Sequence, residues 1–208
     1  MSQYKLIAFE GIDGSGKTTL IKNLEQHLLA KNKKVLIDRL GKEMVNIFKT
    51  LIDNKTGNIG EYQNFFPDEF RLASFIFEYA IETRTKDVIY QEYDYILFDR
   101  WLYSDLAFNK SVNWNDTYFD LLIHKIIPQP DITFYLNIET CEAIKRLKEK
   151  EDWMLTRFND EELYSRLNYF DKGFKTLLSN KDKVVFLDST QNRKNLLDSA
   201  LRHIPILN

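Results

Sequence analysis

The chain has 208 residues and is poor in several residue types. A single cysteine, Cys141, excludes an internal disulfide and fits a reducing compartment. Opening an apparent helix alone, it is expected to pack rather than to act as a nucleophile. The three histidines lack metal-ligand spacing and cysteine partners, so no zinc site is expected. Four prolines and seven glycines leave no Pro/Gly-rich linker or low-complexity block, and one domain over residues 1–208 is expected. No apolar run approaches the length of a membrane span, and Met1-Ser2-Gln3-Tyr4-Lys5 carries no signal-peptide pattern, so a cytoplasmic protein is expected. A net charge of −2 argues against broad nucleic-acid binding; positive surface should be local, where phosphates sit. With 44% hydrophobic residues, the chain can build a real core.

Three of the seven glycines crowd into one stretch, Gly11-Ile12-Asp13-Gly14-Ser15-Gly16-Lys17-Thr18. The spacing is G-x-x-x-x-G-K-[ST]. Glycines let backbone N–H groups turn toward a polyphosphate without a Cβ in the way. Lys17 can reach β- and γ-phosphates, and the Thr18 hydroxyl can bind Mg²⁺. Lys5-Leu6-Ile7-Ala8-Phe9 before the loop reads as a short buried strand. After it, Thr19 to Leu29 carries apolar residues at helical spacing. A strand, a glycine loop and a helix N-terminus form an anion site assisted by the helix dipole. Binding of a nucleoside triphosphate is predicted.

Further short apolar runs are Val35-Leu36-Ile37, Tyr95-Ile96-Leu97-Phe98, Ile132-Thr133-Phe134-Tyr135-Leu136 and Val184-Val185-Phe186-Leu187. Helix-length stretches separate them, which predicts an α/β fold: a five-stranded parallel sheet with helices on both faces. Ligands on such sheets gather at the carboxyl ends of the strands. Arg39, Asp99, Arg100 and the glycine loop all follow strand ends, so they should share one rim. Asp38, at the second strand end, reads either as a solvated carboxylate or as a base for a hydroxyl acceptor. The aromatics from Phe65 to Phe77 read mainly as core or dimer contacts.

Phe9-Glu10-Gly11-Ile12-Asp13-Gly14-Ser15-Gly16-Lys17-Thr18-Thr19 resembles the opening of a thymidylate kinase. Asp99-Arg100-Trp101-Leu102-Tyr103-Ser104-Asp105-Leu106-Ala107-Phe108 is similar to that family's D-R-[YWFH]-x-x-S-x-x-A-[YF] signature, and Pro130-Asp131-Ile132-Thr133-Phe134-Tyr135-Leu136 to its P-D-[LI]-T-x-x-L strand. The resemblance implies a P-loop kinase fold with a small lid segment near residues 148–160, typically a homodimer. It also implies transfer of the γ-phosphoryl of Mg-ATP to a deoxynucleoside monophosphate, usually dTMP. On it, Gly11 to Thr19 would hold ATP, with Lys17 and the loop amides on its phosphates, and Thr18 and Asp99 would serve Mg²⁺. Arg39 and Arg100 would hold the acceptor phosphate, Asp13 the acceptor sugar, and Ser104 is the signature serine. Phe108 would pack near the 2′ face of the sugar, and Phe77 would stack on the base. Arg157 would be the lid cation; its alternative is an ion pair with Asp160 or Glu161. Lys148 and Lys150 read as solvated.

The chain departs from the family pattern at the base. The proline-containing segment after Arg39 is replaced by Leu40-Gly41-Lys42-Glu43. Ile81 stands where a base-reading arginine is expected, with Arg84 one turn on as a substitute. Asp105 occupies a position facing the base edge and, when ionised, only accepts hydrogen bonds. Two alternatives follow: a kinase for another deoxynucleotide or a deoxynucleoside, or a nucleotide-binding homologue without turnover.

Overall fold

A computed structural model describes residues 4–58, 62–108, 123 and 125–204. Its five strands are β1 (Lys5–Glu10), β2 (Val35–Asp38), β3 (Tyr95–Asp99), β4 (Ile132–Asn137) and β5 (Val184–Asp188). They form one sheet in the order β2-β3-β1-β4-β5. Every pairing is parallel, with Ile7 opposite Leu97 on one side and Ile132 on the other. The doubly covered parallel sheet predicted from the alternating pattern is therefore present. All five strands run one residue further than their apolar runs, to Glu10, Asp38, Asp99, Asn137 and Asp188. The polar residue still pairs in the ladder and reaches the rim.

Helix α1 spans Lys17–Leu29, α2 Glu43–Phe48, α3 Asn54–Thr56, α4 Tyr62–Phe65, α5 Asp68–Thr85, α6 Asp87–Tyr90 and α7 Leu102–Phe108. After β4 come α8 (Thr140–Glu149), α9 (Met154–Arg157) and α10 (Asp160–Leu178), and β5 leads to α11 (Arg193–Leu201). Strand residues alternate between two cores. Leu6, Ala8, Ile96, Phe98 and Tyr135 join one with α5, α7, α8 and α10. Ile7, Phe9, Leu97, Phe134 and Leu136 join the other with α1 and α11. Both faces of β1, β3 and β4 are thus sealed, and each fully buried Leu, Ile or Phe contributes roughly 1.5–3 kcal/mol.

Local chemistry sets the helix ends nearest the site. Asn159 caps α10 in a reciprocal box: its Oδ1 accepts from the Glu162 N–H at 2.9 Å, and Glu162 Oε2 accepts from the Asn159 N–H at 3.0 Å. Gly173 brings α10 against α7. A Cβ there would stand 3.1 Å from the Ala107 carbonyl oxygen, so the two backbones touch. Among the described residues, no helix is long and apolar enough to cross a membrane.

Candidate active site

The carboxyl ends of β1, β2 and β3 open onto a cavity of about 670 Å³. The glycine loop forms one wall. Gly14 has φ +82° and leaves no room for a side chain, since a Cβ would lie 2.5 Å from the Ala143 carbonyl oxygen of α8. The loop is braced from the far edge of the sheet. Ser189, just past β5, donates to the Ser15 carbonyl, and Arg146 of α8 donates to the Ser189 carbonyl at 2.9 Å. Lys17 folds back on the loop, its Nζ donating to the Gly11 and Ile12 carbonyls at 2.9 Å each. Burial, reinforced by the nearby Arg100 cation, lowers its pKa to about 7. An arriving phosphate would reverse that shift.

Thr18 donates from Oγ1 to Asp99 Oδ2 at 3.3 Å, joining the start of α1 to the end of β3. This hydroxyl–carboxylate pair is a hard oxygen set of the kind Mg²⁺ shares with phosphate oxygens and waters. Among the described residues no group of three or more His, Cys, Asp or Glu could hold a metal alone.

Arg100 packs directly against the loop. Its φ of +78° puts a non-glycine residue in the left-handed region, a strain of roughly 1–3 kcal/mol of the kind retained at functional sites. Its Nη1 donates to the Gly11 carbonyl at 3.0 Å and to Ser104 Oγ at 3.2 Å, and its Nη2 to Asp13 Oδ1 at 2.5 Å. Burial disfavours charge on both partners, but their mutual attraction wins, so the Asp13 carboxyl is held low and the Arg100 guanidinium high. Glu10, fully buried beneath them, has its pKa raised to about 7 by burial.

The cavity gathers most of the residues expected at the site. Asp13, Gly14, Gly16, Lys17, Thr18 and Thr19 line it from the loop side, and Arg39, Asp99, Arg100, Ser104, Asp105 and Phe108 from the others. Gly11 and Ser15 lie just behind this wall, Gly11 offering its carbonyl to Lys17 and Arg100, and Ser15 fully buried.

Other expected residues lie away from the cavity, with physical causes. Phe77 is 61% exposed and does not line the cavity; Phe75 and Tyr79 do. Two residues along a helix turn the side chain by about 200°, to the opposite face. Ile81 is on that outer face, and Arg84 is exposed as well, so Arg84 does not replace a base-reading arginine. The polar side chain that α5 turns to the cavity is Tyr79, which donates from Oη to Asp105 Oδ2 at 2.6 Å. Burial, opposed by this hydrogen bond, raises the Asp105 pKa to about 6.

Asp38 is part-buried and does not line the cavity. It accepts from Tyr90 Oη at 2.7 Å and pairs with Lys86 at 3.1 Å. Arg157 is outside the cavity wall, 5.5 Å from the Phe158 ring, while Asp160 pairs with Lys148 at 2.6 Å. Lys148 is therefore paired, although exposed, and Lys150 lines the cavity mouth. Cys141 is exposed, not packed.

Sequence comparison adds the family. The thymidylate kinase family model matches residues 9–200. The chain belongs to the thymidylate kinase family. Among its relatives, the probable thymidylate kinase of Sulfurisphaera tokodaii is 28% identical over 202 residues, covering 96% of this chain and 95% of the relative. The thymidylate kinase of Thermosipho africanus is 36% identical over 155 residues, 69% of this chain and 71% of its own length. A probable thymidylate kinase of Methanocaldococcus jannaschii is 34% identical over 149 residues, 70% of each chain. Thymidylate kinases are ATP-dependent phosphotransferases, and a phosphate loop with two arginines lining the same cavity is the set of parts such a transfer requires.

Two residues the sequence did not single out complete this thymidylate kinase site. Tyr79 belongs to a buried stripe of α5, Leu72-Phe75-Tyr79, whose three- and four-residue spacing was a usable signal. Glu10 carried none, because a charged residue at a strand end reads as solvent-facing.

Proposed function

We propose that this chain transfers the γ-phosphoryl of ATP to dTMP, forming dTDP. The observation that carries the reading is one continuous cavity lined by Lys17 and Thr18 and, with them, by Arg39 and Arg100. Two anionic phosphates repel each other, and in-line transfer needs cations around both. Lys17 and the loop amides would hold the β- and γ-phosphates of ATP, and Arg39 and Arg100 the acceptor phosphate. Thr18 and Asp99 would hold Mg²⁺, which neutralises charge on the transferring group when bound. Arg157 is the cation we assign to a lid over residues 148–160, closing a single kinase domain.

A monophosphate with a second pKa near 6 is largely dianionic at neutral pH and needs no strong base, whereas a nucleoside hydroxyl does. With Asp38 tied to Lys86 and Tyr90, no base stands at that strand end, which favours the monophosphate. Phe75 offers an apolar face for the base, and Tyr79 with Asp105 a polar edge: an acceptor for thymine N3–H and a hydroxyl able to turn to O4. Phe70, Phe77 and Ile81 form an exposed apolar stripe along α5, which supports a homodimer; the single cysteine fits the reducing cytoplasm.

The test is ADP release from Mg-ATP across all deoxy- and ribonucleoside monophosphates, with thymidine and deoxyguanosine included. dTMP is expected to give the highest kcat/KM. Preference for another monophosphate would reassign the base pocket. Turnover with nucleosides alone, or none at all, would overturn the reading.

A further inference from the structure

The side chain of Glu10 is sealed under the cavity floor and touches no space a substrate could enter. Its carboxylate is nevertheless fully engaged. Oε1 accepts from the Trp101 N–H at 2.9 Å and the Ser104 N–H at 3.2 Å, and Oε2 accepts from the Ser104 hydroxyl at 2.5 Å. These donors belong to the residue just after Arg100 and to the first turn of α7. Arg100 itself is pinned on its other side, its N–H donating to the Phe9 carbonyl at 3.1 Å.

The polarity of this chain of bonds matters. The single proton of the Ser104 hydroxyl points to Glu10, so its lone pairs are free to accept from Arg100 Nη1 at 3.2 Å. We propose that Glu10 is a positioning residue for the acceptor phosphate, acting through Ser104 to fix the left-handed turn at Arg100 and aim its guanidinium. This rests on the assignment of Arg100 to the acceptor made above. Glu10 does not touch substrate; it decides which way the Ser104 proton faces.

Glu10→Gln tests this, because the amide keeps size and an acceptor for the two backbone N–H groups. Its NH₂ then donates to Ser104, so the hydroxyl proton loses its carboxylate acceptor and must turn out of that direction, and Ser104 is no longer held as a fixed acceptor for Arg100. With the best monophosphate acceptor found in the panel, assayed at pH 8 where the Glu10 carboxyl is mostly ionised, Glu10→Gln is expected to raise the acceptor KM about tenfold or more. The KM for ATP should stay within about twofold. In a Ser104→Ala background no hydroxyl remains to reverse, so Glu10→Gln is expected to add less than about a twofold change.

Equal rises in both KM values, or effects that multiply in the double variant, would overturn the proposal. If Glu10→Gln does not fold, Ser104→Ala alone decides. An acceptor-selective KM rise supports the relay, and none overturns it. The comparison is a ratio to wild type with one acceptor, so a wrong base assignment shifts the panel but not this ratio. A wild type that neither phosphorylates nor binds any monophosphate by calorimetry would remove both readings.

Discussion

Replacing Phe75 or Phe77 by leucine separates the two faces of α5. Phe75 is 9% exposed and lines the cavity, with its ring edge-on to Phe48 at 6.2 Å. Phe77 is 61% exposed on the opposite face. Leucine keeps apolar volume but removes the π face. If the acceptor base lies on Phe75, Phe75→Leu forfeits stacking worth about 1–3 kcal/mol. At 1.36 kcal/mol per tenfold, that is a roughly 5- to 150-fold rise in acceptor KM, with little change for ATP. The swap in the core should cost less than about 1.5 kcal/mol of stability, read from urea unfolding. Phe77→Leu should leave both KM values within about twofold. Initial rates over a dTMP series at saturating ATP decide the matter. An acceptor KM that responds to Phe77 and not to Phe75, at unchanged oligomeric state, would refute the placement of the base.

Three further outcomes are expected. Gly14→Ala should destabilise the protein by about 2–4 kcal/mol, combining left-handed strain with overpacking against Ala143, and weaken ATP binding; an unchanged urea midpoint would contradict the loop packing. Asp38→Asn should cost about 1–3 kcal/mol, through the weakened Lys86 and Tyr90 bonds, while kcat stays within about twofold; a collapse of kcat at intact fold would restore Asp38 as a base. The Lys17 pKa of about 7 means that the ligand-free side chain is mostly neutral at pH 8. A phosphate favours the charged form, so ATP binding at pH 8 should take up a proton and affinity should fall as pH rises from 7 to 9. Calorimetry in two buffers of different ionisation enthalpy measures this, and a buffer-independent heat would count against it.

The phosphate loop and the Asp99-Arg100 turn were legible because each is a contiguous motif at the end of a contiguous apolar run. Alternating runs and helix-length gaps leave few topologies other than a parallel sheet, and its strand ends converge on one rim. α5 was harder. Aromatics occupy both of its faces, so composition does not say which one is buried, and a motif match placed Phe77 where Phe75 stands. The bracing of the loop by Arg146 and Ser189 joins residues up to 174 positions apart, and only the folded sheet brings them together. Glu10 was hidden for a related reason: what satisfies it lies 91 to 94 residues away, at the start of α7.

The bridge between Asp13 and Arg100 ties the phosphate loop to the turn after β3. On the assignments above both partners turn to the acceptor, Arg100 to its phosphate and Asp13 to its sugar, so each holds the other's charge until the acceptor arrives. An incoming monophosphate must part them and bear that cost. Neutralising Asp13 would then free Arg100 for the phosphate while forfeiting the sugar contact, and the two effects on acceptor affinity would oppose each other.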